Sequence, residues 1–161
     1  MLFSKVNLWA ECERLRQQSN LSVSQLSRIV APDNNSTLYA SRRNINDGGT
    51  TLVFNTLRHF GLKQLVLAKD NPNNPKQKFQ TVINFTNATN QEILEQMIYS
   101  TGILAYLTPL TKIPQTLRKA ITTGQADSNL TLTTFEKAYT RIGGITMEFH
   151  YETLQTMEEM F

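Results

Sequence analysis

Cysteine is nearly absent from this chain of 161 residues: Cys12 stands alone, so no intramolecular disulfide and no cysteine-built metal site can form. Charge is sparse as well, at 18% of residues, and Asn, Gln and Thr fill much of the polar surface instead. Uninterrupted apolar runs all fall short of the roughly 18 residues that a membrane-spanning helix needs. The opening segment, MLFSKVNLWAECERLR, meets acidic residues almost at once and lacks the pattern of a secretory signal. The sequence contains no GxGxxG, Walker loop, nucleophile elbow or HExxH, and its two histidines, His59 and His150, are far apart. These absences lead to the expectation of a cytoplasmic, non-catalytic protein with no cofactor, no metal and no membrane segment.

What the chain does have is an internal repeat. LSRIVAPDNNSTLYASRR followed by TLVFNTLRHFGLKQLVL, within Leu15–Asp70, matches LAYLTPLTKIPQTLRKA followed by TLTTFEKAYTRIGGITMEF, within Met97–Glu152. Leu26 aligns with Leu104, Ile29 with Leu107, Ser36-Thr37-Leu38 with Gln115-Thr116-Leu117, and Gly61 with Gly143. The offset drifts only from 78 to 82, as a few loop insertions would produce. The division expected from this is a first unit plus strand over residues 1–70, a hairpin return strand and linker over 71–88, a second unit plus strand over 89–152, and a tail over 153–161. Charge divides unevenly between the halves. Residues 1–70 hold nine basic and five acidic side chains, residues 71–161 seven and eight.

Local patterns supply the elements. Leu8, Cys12 and Leu15 share a face of a first helix from Ser4 to about Gln18. Ser22 or Ser24 can cap a short second helix carrying Val23, Leu26 and Ile29. After the turn Pro32-Asp33-Asn34-Asn35, a third helix reaches about Arg43. A fourth spans about Thr51 to Phe60, with Val53, Leu57 and Phe60 inward and Gly61 as its stop. The period then shortens: 62–68 and 78–85 read as strands joined by the loop Asn71–Pro75. A helix capped within 86–90 follows, with Ile93, Leu94, Met97 and Ile98 inward. The second unit repeats the first, with Pro109 and Pro114 near helix starts, and closes on a strand at 145–151. Because a lone hairpin is marginal in water, that strand is expected to join it in one small sheet. The fold class expected is mainly α with a small β-sheet.

The short helix, tight turn and third helix of each unit, with "TL" early in helix three and a fourth helix ending in hydrophobe-Gly, resemble the lambda-repressor-like helix-turn-helix family of phage repressors and antitoxins. The resemblance covers about 110 of the 161 residues. Ala31 or Pro32, and Pro109, replace the glycine usual at the turn, which implies an altered angle between helices two and three. The resemblance implies two helix-turn-helix units in a pseudo-twofold arrangement, joined by a β-hairpin and each ending in a strand. It also implies that helix three of each unit enters the major groove of double-stranded DNA. The side chains it assigns to that surface are Asn35, Ser36, Thr37, Tyr39, Arg42 and Arg43 in the first unit. In the second they are Lys112, Gln115, Thr116, Arg118, Lys119 and Thr122. Asn, Gln and Arg make bidentate contacts with base edges, and Lys and Arg suit phosphates. Packing is the simpler reading for Tyr39 and Trp9, while for Arg28 a phosphate contact and a solvated surface charge stand on equal terms. The function implied is a transcriptional regulator that reads an asymmetric or imperfectly palindromic site as a single-chain pseudo-dimer. A protein-interaction module, such as an antitoxin or a phage-encoded inhibitor of a nuclease or defence complex, is the alternative. A toxin or other regulator as partner, and a homodimer, are compatible with the same sequence.

Overall fold

The computed structural model describes residues 1–31, 49–127 and 129–152. Helix α1, Lys5–Gln18, starts where the Ser4 hydroxyl accepts the Asn7 N–H, and it buries Leu8, Trp9, Cys12 and Leu15. Trp9 is therefore a packing residue. Helix α2, Val23–Val30, opens with a reciprocal capping box between Ser22 and Gln25. Leu26 is buried as its spacing predicts. Ile29 is 47% exposed, however, and Val30 takes the inward position. Helix α3, Thr50–His59, buries Leu52, Val53, Phe54 and Leu57. The chain leaves it through Gly61, whose φ of +85° would strain any other residue. Phe60, expected inward, is half-buried because it already lies beyond the last helical residue.

Strands β1, Leu62–Asn71, and β2, Asn74–Asn84, form an antiparallel hairpin in which Leu65 faces Ile83 and Leu67 faces Thr81. Both run closer to the turn than the sequence suggests. Pro75, Lys76 and Lys78 are tolerated within β2 because it is an edge strand. Helix α4, Asn90–Leu104, begins at a Thr89–Glu92 capping box and buries Ile93, Met97, Ile98 and Leu104, with Leu94 half-buried. A 3-10 turn at Leu110–Lys112, helix α5 at Gln115–Thr123, helix α6 at Leu132–Ile142 and strand β3 at Thr146–Tyr151 complete the described elements.

The segment around residues 104–112 departs from the repeat. Leu104, aligned with Leu26, is the last residue of α4 rather than the middle of a short second helix. Leu107, aligned with Ile29, is 68% exposed, with a left-handed φ of +63°. Two prolines account for this. Pro109 and Pro114 lack an N–H and disfavour helical backbone at Thr108 and Ile113, so a second helix shrinks to three residues.

The described residues thus form a mixed α/β arrangement of six α-helices and one three-stranded antiparallel sheet. The strand order is β2-β1-β3, so the last strand does join the hairpin, along β1. Val66 faces Glu148 at the middle of that pairing, flanked by Leu65 opposite Phe149 and Leu67 opposite Met147. Leu65, Leu67 and Ile83 meet Leu8, Phe54, Leu57, Met97 and Phe135 in one continuous core. Helices α1 and α4 each pack against both α3 and α6. Polar ties reinforce these contacts. The buried Lys5 ammonium donates to Thr133 Oγ1 at 2.8 Å, and the Lys5 backbone N–H donates to the Glu136 carboxylate. Arg58 on α3 donates to Ala88 O at 2.6 Å and to the Asn90 side chain at the start of α4. The Leu132 N–H reaches Thr50 Oγ1 at 3.0 Å. No helix among the described residues is long and apolar enough to cross a membrane.

Candidate nucleic-acid interface

Helix α5 is set by its neighbours on both sides. Pro114, with its ring-fixed φ, precedes the first turn, and Gly124 stops the helix at a φ of +72°. Leu117 and Ala120 anchor one face against α4 and α6, together with the buried Ile113. Gln115, Lys119 and Thr122 then occupy the opposite side by helical spacing, and Lys112 lies in the 3-10 turn that precedes the helix. All four are exposed.

Arg118 and Thr116 sit on the flanks, half-buried. Arg118 Nε is sequestered without a hydrogen-bond partner among the described residues, while Lys119, the next residue, projects about 100° further round the helix. The two cations therefore do not share a direction. The Thr122 hydroxyl donates to Arg118 O at 2.9 Å, and the Thr123 hydroxyl likewise donates to Lys119 O at 2.9 Å. Such back-bonding occupies the hydroxyl proton and leaves the oxygen lone pairs outward.

A further cation enters from another element. Arg141, exposed in the last turn of α6, donates from Nη1 to Lys112 O at 2.9 Å, which brings it beside the 3-10 turn. Sequence reading passed over it because it lies beyond helix three. The available signal was a basic residue shortly before Gly143, where cations commonly bond terminal helix carbonyls. Among the described residues, no ion pair engages Lys112, Arg118, Lys119 or Arg141. Between residues 104 and 142 there are five basic and two acidic side chains, and neither acid, Asp127 nor Glu136, lies on the exposed α5 face. The surface can attract a polyanion and offers Gln115 as a side chain able to read a base edge.

Asn35, Ser36, Thr37, Tyr39, Arg42 and Arg43 lie outside the described residues. Arg28 is exposed on α2, close to its C-terminal end. His59 is exposed beside Phe60, and His150 is paired with Glu148 at 3.1 Å; the two are on separate elements. No cluster of three or more His, Cys, Asp or Glu side chains able to hold a metal occurs among the described residues.

An apolar surface borders the 3-10 turn. Tyr106, Leu107 and Leu110 are all exposed, and the Tyr106 ring rests 5.2 Å from that of Phe79 on β2. Comparison with known proteins found no matching family model, no matching curated protein and no matching solved structure.

Proposed function

We propose that the chain is a sequence-specific regulator that binds double-stranded DNA, with α5 as one of its reading elements. The observation that carries this is the acid-free exposed α5 face Gln115–Lys119–Thr122, preceded by the exposed Lys112 of the 3-10 turn, whose carbonyl Arg141 bonds. In this reading Lys112, Lys119 and Arg141 hold phosphates and fix the register, while Gln115 reaches a base. The half-buried Arg118 serves as a flank rather than a central reader. The protein acts in the cytoplasm without catalysis or a cofactor.

The sheet supports a fused, two-fold arrangement of the two units. Gly61 and Gly143 align at an offset of 82 residues, and three-dimensional contacts fall at the same offset: Val66 faces Glu148, and Thr50 bonds Leu132. At that offset Leu65 corresponds to Met147 and Leu67 to Phe149, so the pairs Leu65–Phe149 and Leu67–Met147 exchange roles. Reciprocal pairing of this kind is the mark of a two-fold interface. It supports a single-chain pseudo-dimer whose lambda-repressor-like units present unequal readers to an imperfect palindrome.

Selection from random duplex DNA followed by gel shift tests this reading. The expected result is an enriched, imperfectly palindromic site. Lys119→Ala should weaken binding on all sequences and reduce the slope of log K against log salt by about 0.9. Gln115→Ala should relax the preference at one position by about 1–3 kcal/mol. Absence of DNA affinity at low salt would overturn the proposal.

The exposed Tyr106-Leu107-Leu110 surface favours a second reading, in which the fold binds a protein as an antitoxin or an inhibitor does. Under that reading Leu107→Asp would abolish binding of the partner while Lys119→Ala leaves it unchanged.

A further inference from the structure

The two outer edges of the sheet are treated differently. Residues 1–3 run along the free side of β3: Phe3 N–H bonds Ile145 O at 3.0 Å and Met147 N–H bonds Met1 O at 2.8 Å. Nothing comparable lines β2 among the described residues. The Phe85 N–H reaches back to Lys63 O at 3.0 Å, so along this strand Ile83 and Thr81 also turn their backbone groups toward β1. Asn84, Val82 and Gln80 consequently turn theirs outward.

Asn84 shows what this edge accepts. Gln96 on α4 takes the Asn84 N–H on Oε1 at 2.6 Å and donates from Nε2 to Asn84 O at 2.9 Å. A side-chain amide making both bonds reproduces the peptide group of an added strand. The next two rungs, at Val82 and Gln80, have no such partner among the described residues.

A cleft of about 450 Å³ opens beside these rungs, walled by Val82 and by Glu92, Glu95, Gln96 and Tyr99 of α4. Tyr99 is 73% exposed and Val82 43% exposed, so the cleft has apolar walls open to solvent. Glu92 and Glu95 are exposed, and no ion pair among the described residues engages either. Side chains alternate along an added strand, so every second one would point to the α4 side and meet these carboxylates.

We propose that the β2 edge and the adjoining face of α4 form a docking groove for an extended, basic segment of a partner protein, which adds a fourth strand to the sheet. Val82 and Gln80 supply the ladder bonds. Glu92 and Glu95 receive Lys or Arg at alternate positions, and Tyr99 packs on the aliphatic stem of one of them and faces its cation. A second copy of this chain is a poorer occupant. In β2 the residues of the parity that would face α4 are Gln77 and Phe79, whereas Lys76 and Lys78 would project to the other face. Nucleic acid is disfavoured by the two carboxylates. The groove is independent of the DNA-reading surface and stands or falls separately from it.

Fluorescence anisotropy on the full chain with a labelled, capped heptapeptide TKVKVKT tests the proposal, against the charge-reversed TEVEVET and a TKVKVKT N-methylated on its alternate amides. Saturable binding of the basic peptide is expected at low salt, weakened about tenfold or more by charge reversal or by Glu92→Gln/Glu95→Gln. Val82→Pro should abolish it, since the N–H removed points away from β1 and the hairpin ladder is kept. N-methylation of the peptide should abolish it without any change to the protein. Lys119→Ala should leave it unchanged. Absence of saturable binding, equal binding of the charge-reversed peptide, or undiminished binding of the N-methylated peptide would each overturn the proposal. A concentration-dependent dimer removed by Val82→Pro would assign the edge to a second copy and overturn it likewise.

Discussion

Cys12 and Tyr139 show how burial alone sets chemical behaviour. The Cys12 thiol lies against Val53 O within the core, and burial, with Glu11 and Glu13 adding repulsion, pushes its ionisation well above the ordinary value of 9.0. Tyr139 is enclosed beside Thr101, and burial raises its phenol above 10.0, against the opposing effect of the Thr101 hydrogen bond. Both groups have folded-state pKa values above their unfolded ones. Their contribution is complete below the unfolded values, and it is lost as pH rises, because the unfolded chain releases protons that the folded one retains. Stability should therefore decline from about pH 9 upward, by at most about 1.4 kcal/mol per pH unit for each group titrating only in the unfolded state. Urea melts at stepped alkaline pH check this, and a flat profile to pH 11 would contradict it. Native Cys12 should also resist a thiol reagent that modifies it readily after unfolding. At this scale the sequence was a good guide where the signal is local. Ser4, Ser22 and Thr89 cap helices because their hydroxyls need only a neighbour three residues on. Arg141 escaped notice because its partner, the Lys112 carbonyl, is 29 residues away.

Among the elements, the joint between α3 and α4 concentrates polar bonding. Arg58 binds Asn55, Asn90 and the Ala88 carbonyl, and Asn90 in turn donates to Asn55 at 3.2 Å. Partial burial holds the guanidinium pKa below its ordinary value, and among the described residues hydrogen bonds rather than ion pairs make this contact. Arg58→Met should cost about 1–3 kcal/mol, since it leaves amide oxygens without donors. The pair Lys78–Asp70 offers a contrast: at 4.0 Å and largely exposed, it is the sort of surface pair worth little. Asp70→Asn should stay within about 0.5 kcal/mol of the parent, and thermal melts of both variants check the ranking. Element boundaries were legible where apolar period and cap agree, as in α1 and at the start of α4. They were misread at 104–112, because aligning Leu107 with Ile29 took Pro109 as a tolerated turn residue, whereas the backbone cost of proline overrides a matching apolar pattern. The hairpin strands were drawn short for a related reason: Pro75 and the lysines look like loop residues unless the strand is known to be an edge.

For the whole molecule, β1 is the organising strand. It is bonded on both sides, and Leu67 at its centre is fully enclosed. Leu67→Ala should destabilise by about 3–4 kcal/mol, at the level of other enclosed leucines. Since the core has no break between the halves, near- and far-ultraviolet signals of that variant should melt together. Separate transitions would show that the halves unfold independently. The sequence disclosed the three strands, and it anticipated their union in one sheet. What it did not disclose was which edge is lined, because that depends on residues 1–3 folding back onto β3.

The interleaving of α1 and α4 with both α3 and α6 bears on how the chain tolerates being cut. The tip at Pro72-Asn73 is exposed, and every contact holding the halves together is non-covalent apart from that turn. A backbone broken there would leave two pieces, each missing the neighbours that enclose its own apolar surface. Mixed together, the pieces should restore fluorescence and circular dichroism that neither displays alone. Topologically, the hairpin acts as a tether that raises the local concentration of two mutually dependent halves, and its covalent continuity matters more for assembly rate than for the final shape.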